Sequence, residues 1–144
     1  MAGKGAEMIG SKLHDFIERS IDAKYISEQD VEELLNRVLP FGIESAREAE
    51  ALLALDRSVV ACKGWCNALV SLVSSFVVRG LGSEGRIGYD HSLWLSTTLD
   101  VGGPTETTMA IAYAVLDRAA HVDAVFLEFI MRGRQHARLQ PIAA

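Results

Sequence analysis

Gly42-Ile43-Glu44-Ser45-Ala46-Arg47-Glu48-Ala49-Glu50-Ala51-Leu52-Leu53-Ala54-Leu55-Asp56-Arg57 is the stretch on which the fold turns. Ser45 and Glu48 spell a capping box, in which the hydroxyl takes the third amide of a helix and Glu48 reaches back to the amide of Ser45. Apolar residues then recur at helical spacing through Ala49, Leu52, Leu53, Leu55, Val59 and Val60. A second copy of the pattern lies 61 residues downstream. It sets Gly103 over Gly42, Ala110 over Ala49, Ala112 over Ala51, and Leu116-Asp117-Arg118 over Leu55-Asp56-Arg57. Six of sixteen positions are identical, where chance gives roughly one.

The same offset places Ile87 over Ile26, Leu95 over Leu34 and Phe126 over Trp65, all apolar positions. Working outward, Leu13, Phe16, Ile17 and Ser20 mark an amphipathic helix from about residue 9 to residue 22. Ser27 can accept the amide of Asp30 and start a short helix whose stripe is Val31, Leu34, Leu35 and Val38, stopped by Pro40 and Gly42. Gly64 interrupts the pattern before a segment to Val78 that is apolar on almost every face, the expected centre of the core. Gly80, Gly82, Gly85 and Gly88 punctuate a loop, and Tyr89 or Asp90 begins a helix with Leu93, Trp94 and Leu95. Beyond the turn Asp100–Pro104, Thr105 or Thr107 opens a helix directing Met109, Ala112, Tyr113, Val115 and Leu116 inward. Asp123 caps a last helix with Val125, Phe126, Phe129 and Ile130.

Strand signatures are scarce, so the expected fold is all-α: a single bundle of about six or seven helices with a pseudo-two-fold internal repeat. An N-terminal helix and lead-in take residues 1–25. The helical domain takes 26–132, with half-repeats near 26–80 and 87–132, and residues 133–144 form a basic, flexible tail. At 144 residues and 15.7 kDa, 49% apolar and 23% charged, the chain is the size of one compact domain.

A net charge of −5 repels nucleic acid, and no basic stripe offsets it. The opening ten residues have no apolar core of about seven residues, so a cytoplasmic location is expected. Cys62 and Cys66 lie one helical turn apart and close no useful loop, which predicts reduced thiols. The run Trp65–Val78 is shorter than the roughly 20 residues of a membrane span and reads as a core helix, so no transmembrane segment is expected.

Motif chemistry is sparse. Gly80-Leu81-Gly82-Ser83-Glu84-Gly85 follows a helix rather than a strand, and Glu84 would repel phosphate. His14, His91, His121 and His136 are scattered, and no serine or cysteine sits on a recognisable nucleophile elbow. Trp65, Trp94 and Phe126 read as packing residues. Asp56 and Asp117, each followed by arginine (Arg57, Arg118), allow two readings: they lock the halves through ion pairs, or they face each other across the pseudo-axis and bind a ligand. Asp30, Glu32, Glu33, Glu44, Glu48 and Glu50 crowd acid into the first half, whereas Arg132, Arg134, His136 and Arg138 make a basic end. That asymmetry could dock a basic partner or another copy of the chain.

Gly42 to Asp56, Trp65 opening the next helix, and Gly88-Tyr89 with Trp94-Leu95 resemble the TerB-like superfamily, named for a tellurite-resistance protein. The resemblance covers most of residues 26–131. It implies an all-helical bundle of two related halves, an association with stress response and membrane-proximal complexes, and in some members divalent-metal binding by acidic turn residues. The metal feature transfers poorly. The two turns read Leu39-Pro40-Phe41-Gly42 and Val101-Gly102-Gly103-Pro104 in place of Asp-Gly-rich turns, leaving Glu44, Glu48, Asp100 and Glu106 as the metal candidates, with Glu50 nearby. A hard cation wants about six oxygens.

The function expected is therefore a non-enzymatic TerB-like protein-interaction domain, associated with stress response, needing no cofactor and binding a protein partner or itself. A small-molecule-binding or hydrolytic enzyme with a site near Asp56 and Asp117 is the alternative. A weak divalent-cation sensor is the second.

Overall fold

Ser45 accepts the amide of Glu48 at 3.2 Å and starts a helix over Ala46–Ser58, as the capping pattern requires. The Glu48 carboxylate, however, takes the amide of Glu44 at 2.8 Å rather than that of Ser45. In the computed structural model residues 10–81 and 85–139 are described, with side chains as far as Gln135. The lead-in 1–9, Gly82 of the glycine-punctuated loop, and the side chains of His136 and Arg138 lie outside the described residues.

The chain is all-α, with seven α-helices among the described residues. In order these are α1 (Ser11–Ala23), β1 (Tyr25–Ile26), α2 (Glu28–Glu33), a π-helical turn π1 (Leu34–Val38), α3 (Ala46–Ser58), β2 (Val60–Ala61), α4 (Lys63–Ser75), a second π turn π2 (Phe76–Leu81), β3 (Arg86–Ile87), α5 (Tyr89–Leu99), α6 (Glu106–Arg118), β4 (His121–Val122) and α7 (Ala124–Leu139). Two compact units divide it, the first ending at Phe76 and the second beginning at Val77.

In the first unit α1 packs on α3 and π1, and α2 packs on α4. Leu13, Phe16 and Ser20 of α1 are buried, so the N-terminal helix is part of this core rather than a lead-in to it. Ile26, Leu34, Leu52, Leu53 and Leu69 are completely buried or nearly so. Ser27 and Asp30 close a reciprocal capping box at the start of α2. The stripe expected on that helix holds at Val31 and Leu34 but not at Leu35, which is exposed. The reason is π1: the amide of Leu39 donates to the carbonyl of Leu34 five residues back, and the wider turn shifts the register of the face.

In the second unit α5 packs on α7, and α6 packs on both. Thr105 and Thr108 make the capping box of α6, and Asp123 Oδ1 accepts the amide of Val125 at the start of α7. The core here is Ile87, Leu95, Leu99, Ile111, Ala112, Val115, Phe126 and Phe129, the two rings stacked at 6.2 Å. Gly133 is buried and α7 continues to Leu139, so the expected tail is helical where it is described.

The repeat is visible in backbone detail. Two short parallel ladders, which the sequence pattern does not show, pair Tyr25 with Val60 and Ile26 with Ala61, then Arg86 with His121 and Ile87 with Val122. All four residues of the second ladder lie 61 positions after those of the first. The same interval separates left-handed Lys24 (φ 60°) from Gly85 (φ 79°), and Gly42 (φ 86°) from Gly103 (φ 91°). It also separates the turn bonds from Gly42 to Leu39 and from Gly103 to Asp100.

Between these anchors the interval is different. Helices α3 and α6, each 13 residues long, are offset by 60, because the turn from Gly103 to Thr105 is one residue shorter than that from Gly42 to Ser45 and Ala120 restores the count. One residue rotates a helix face by about 100°. The pairing of Leu55-Asp56-Arg57 with Leu116-Asp117-Arg118 is thereby corrected: Leu55 is 2% exposed and Leu116 is 37% exposed, and Val115 is the buried residue near the end of α6. Tyr113 is likewise exposed rather than inward.

Two further boundaries move. Helix α3 ends at Ser58, so Val60 is an exposed ladder residue, and Gly64 sits inside the first turn of α4 instead of interrupting it. The 19 residues Lys63–Leu81 are long and apolar enough to cross a membrane by length and composition alone, a test that core helices also pass, and 44% of that window is buried.

Candidate functional site

A concave surface feature is built around π1 and the turn after it. Proline at position 40 cannot continue a helix, and the left-handed Gly42, whose amide donates to Leu39, folds the chain back. This geometry turns Phe41 outward, leaving it 88% exposed. Beside it lies a cleft of about 360 Å³ whose lining includes Lys12, Val38, Pro40, Phe41, Glu44 and Glu48. Glu48 is half-buried and held by the Glu44 amide, so its carboxylate is fixed at the rim.

A second cleft of about 330 Å³ shares Lys12 and Val38 with the first and extends it along α1 and π1. Its other walls are charged: Asp15, Arg19, Glu33 and Arg37. Arg19 donates to Glu33 at 2.7 Å and lies 5.9 Å from the centre of the Phe16 ring. Together the two clefts, which share Lys12 and Val38, are the groove of the first unit; Phe41 lines one and Arg37 the other. Residues 10–76 hold seven Lys or Arg against eleven Asp or Glu, so this unit carries −4 of the chain's −5.

The residues singled out in the sequence fall in different places. Asp56 is half-buried, and its Oδ1 accepts the indole N–H of buried Trp65 at 2.9 Å, a bond within the first unit. Arg57, Asp117 and Arg118 are exposed on their helices. Because of the one-residue offset, Asp56 and Asp117 are not equivalent positions. Of the metal candidates, Glu44 and Glu48 come together at the start of α3, joined by the amide bond described above. Asp100 and Glu106 flank the corresponding turn of the second unit. Among the described residues no group of three or more His, Cys, Asp or Glu side chains is placed to hold a metal ion.

Cys62 stands at the N-cap position of α4 without a side-chain capping bond, Cys66 lies one turn on, and neither forms a disulfide. His14 meets Glu18 at 3.1 Å on the exposed side of α1, and His121 faces outward from β4. Phe41, Pro40 and Lys12 were not legible as a site. The available signal was the tetrapeptide Leu39-Pro40-Phe41-Gly42, where a large aromatic stands between two turn formers and has no helix face on which to be buried.

The groove offers apolar contact, fixed carboxylates and a lysine, which is the chemistry of recognition. Compared with family models, with curated proteins and with solved structures, the chain matches none.

Proposed function

We propose that this chain is a non-enzymatic protein-interaction domain that binds through the groove of its first unit. The observation that carries the reading is Phe41, an aromatic left 88% exposed by a Pro-Phe-Gly turn at the mouth of a cleft. Aromatic side chains, phenylalanine included, are enriched at the cores of protein interfaces. The carboxylates of Glu44 and Glu48 set its preference toward a partner carrying cationic groups next to apolar ones. The resemblance to the TerB-like superfamily supports the same reading and adds a role in stress response to it.

Site-specific photocrosslinking tests it. A benzophenone amino acid at position 41 should give discrete protein adducts in cells, and the same probe at Tyr113, on the other unit, should not. Identical adduct patterns from both positions, or none from position 41, would overturn the reading.

A further inference from the structure

Helix α7 carries two faces. Phe126, Phe129, Ile130 and Gly133 are buried. On the outward side Leu127 and Met131, four residues apart, are exposed, Met131 to 67%, with exposed Glu128 between them. Arg134 is the next residue along that outward face and is exposed, as is Arg132 beside it. From Arg132 to Leu139 the sequence contains no acid. Cations in the last turns of a helix also complement its dipole, but that accounts for neither Leu127 nor Met131. Two apolar anchors one turn apart, followed by arginine, form the pattern of a helix that lies in a groove.

The cleft at Phe41 in the first unit carries complementary groups. Phe41, Pro40 and Val38 supply apolar lining and Glu44 and Glu48 supply carboxylates, with Lys12 among them, within a unit of net charge −4. We propose that the occupant of this groove is the outward face of α7 from a second copy of the chain, with Leu127 and Met131 against Phe41 and with Arg134 toward Glu44. The proposal rests on the reading of the groove as a protein-binding surface and names its partner. Because the two surfaces differ, the association is heterologous: protomers join head to tail, into a ring if the rotation closes and a filament if it does not. The Arg134–Glu44 contact attracts while two copies of net charge −5 repel, so apolar burial at Phe41, Leu127 and Met131 supplies the main driving force.

Sedimentation velocity on the full chain tests this. The weight-average mass should rise above 15.7 kDa with concentration. A groove variant, Phe41→Ser with Glu44→Arg, and a helix variant, Met131→Ser with Arg134→Glu, should each weaken self-association by about tenfold or more. Both alter exposed side chains, and circular dichroism with thermal unfolding checks that they fold. Mixing the two variants decides the geometry, since the intact α7 of one fits the intact groove of the other and the mixture should stop at a dimer. A wild-type monomer at every concentration, a mass that neither variant changes, or a mixture that forms no dimer would overturn the proposal. If the wild type stays monomeric while position 41 still crosslinks to other proteins, the partner is wrong and the interaction reading stands. If position 41 crosslinks to nothing, including a second copy, both fall.

Discussion

Trp65 donates its indole N–H to Oδ1 of Asp56 over 2.9 Å, tying the first turn of α4 to the last turns of α3 across the β2 ladder segment. The ring is buried, so its one polar group needs a partner there. Asp56 is the partner, which gives a carboxylate on a helix face a structural occupation. Asp56→Ala should cost about 1–3 kcal/mol of stability, and Asp56→Asn, which keeps an acceptor oxygen, about 1 kcal/mol or less. Trp65→Ala should cost about 3–5 kcal/mol. Urea unfolding followed by circular dichroism measures all three. Equal losses for the Ala and Asn variants would show that the carboxylate has another role.

Lys24 and Gly85 hold the same left-handed conformation at matching places in the two units, one before each ladder. A residue with a Cβ loses about 1–2 kcal/mol there, while glycine gives back part of that through its unfolded-state freedom. Lys24→Gly should therefore raise stability by about 0.5–1 kcal/mol. Gly85→Ala should lower it by about 1–2 kcal/mol, because a Cβ at position 85 would also crowd the amide nitrogen of Ala120 at 3.2 Å. The thermal midpoints of the two variants should move in opposite directions.

How far the sequence carried depended on how local the governing physics was. Helix starts at Ser27, Ser45 and Thr105 are set by a hydroxyl and an amide three residues apart; the first two could be read directly, and the third only as one of two candidates with Thr107. The repeat could be read too, because Gly42 and Gly103 need a backbone that few residues adopt. Its register inside α3 and α6 could not. Identities at Leu-Asp-Arg favoured one offset, whereas the shorter turn before Thr105 imposed another. The ladders escaped notice because two residues are too few to alternate. The π turn at Leu34–Val38 has no composition of its own, and without it only the turn formers on either side of Phe41 hinted at its exposure.

Ser92 shows how the two units solve one junction differently. In the first, the amide of Cys62 donates directly to the carbonyl of Ile26 at 2.9 Å. In the second, Ser92 Oγ accepts the amide of Asp123 at 3.3 Å and donates to the carbonyl of Ile87 at 3.3 Å, a hydroxyl inserted between the same two positions. Val31 stands where Ser92 does in the first unit and inserts nothing. Ser92→Ala strands an amide and a carbonyl together and should cost about 1–3 kcal/mol. Val31→Ala removes only buried methyl groups. Hydrogen exchange at the Asp123 amide should quicken in Ser92→Ala and stay unchanged in Val31→Ala.

Gly133 lies where α7 meets Met109 of α6, and a Cβ built on it would stand 2.8 Å from the methionine methyl and closer still to its sulfur. Two effects oppose each other at this position. Alanine in place of a helical glycine gains about 0.5–1 kcal/mol, and displacing the Met109 side chain from its rotamer costs about 0.5–1.5 kcal/mol. The obstructing atoms are the far end of a flexible, half-buried side chain and can swing aside. Gly133→Ala alone should therefore change stability by less than about 1 kcal/mol. In a Met109→Ala background the obstruction is gone, and the same substitution should stabilise by about 0.5–1 kcal/mol. A double-mutant cycle from denaturant unfolding reads the difference. A loss at Gly133 that Met109→Ala does not relieve would mean that the backbones of α6 and α7, not the methionine, set the separation.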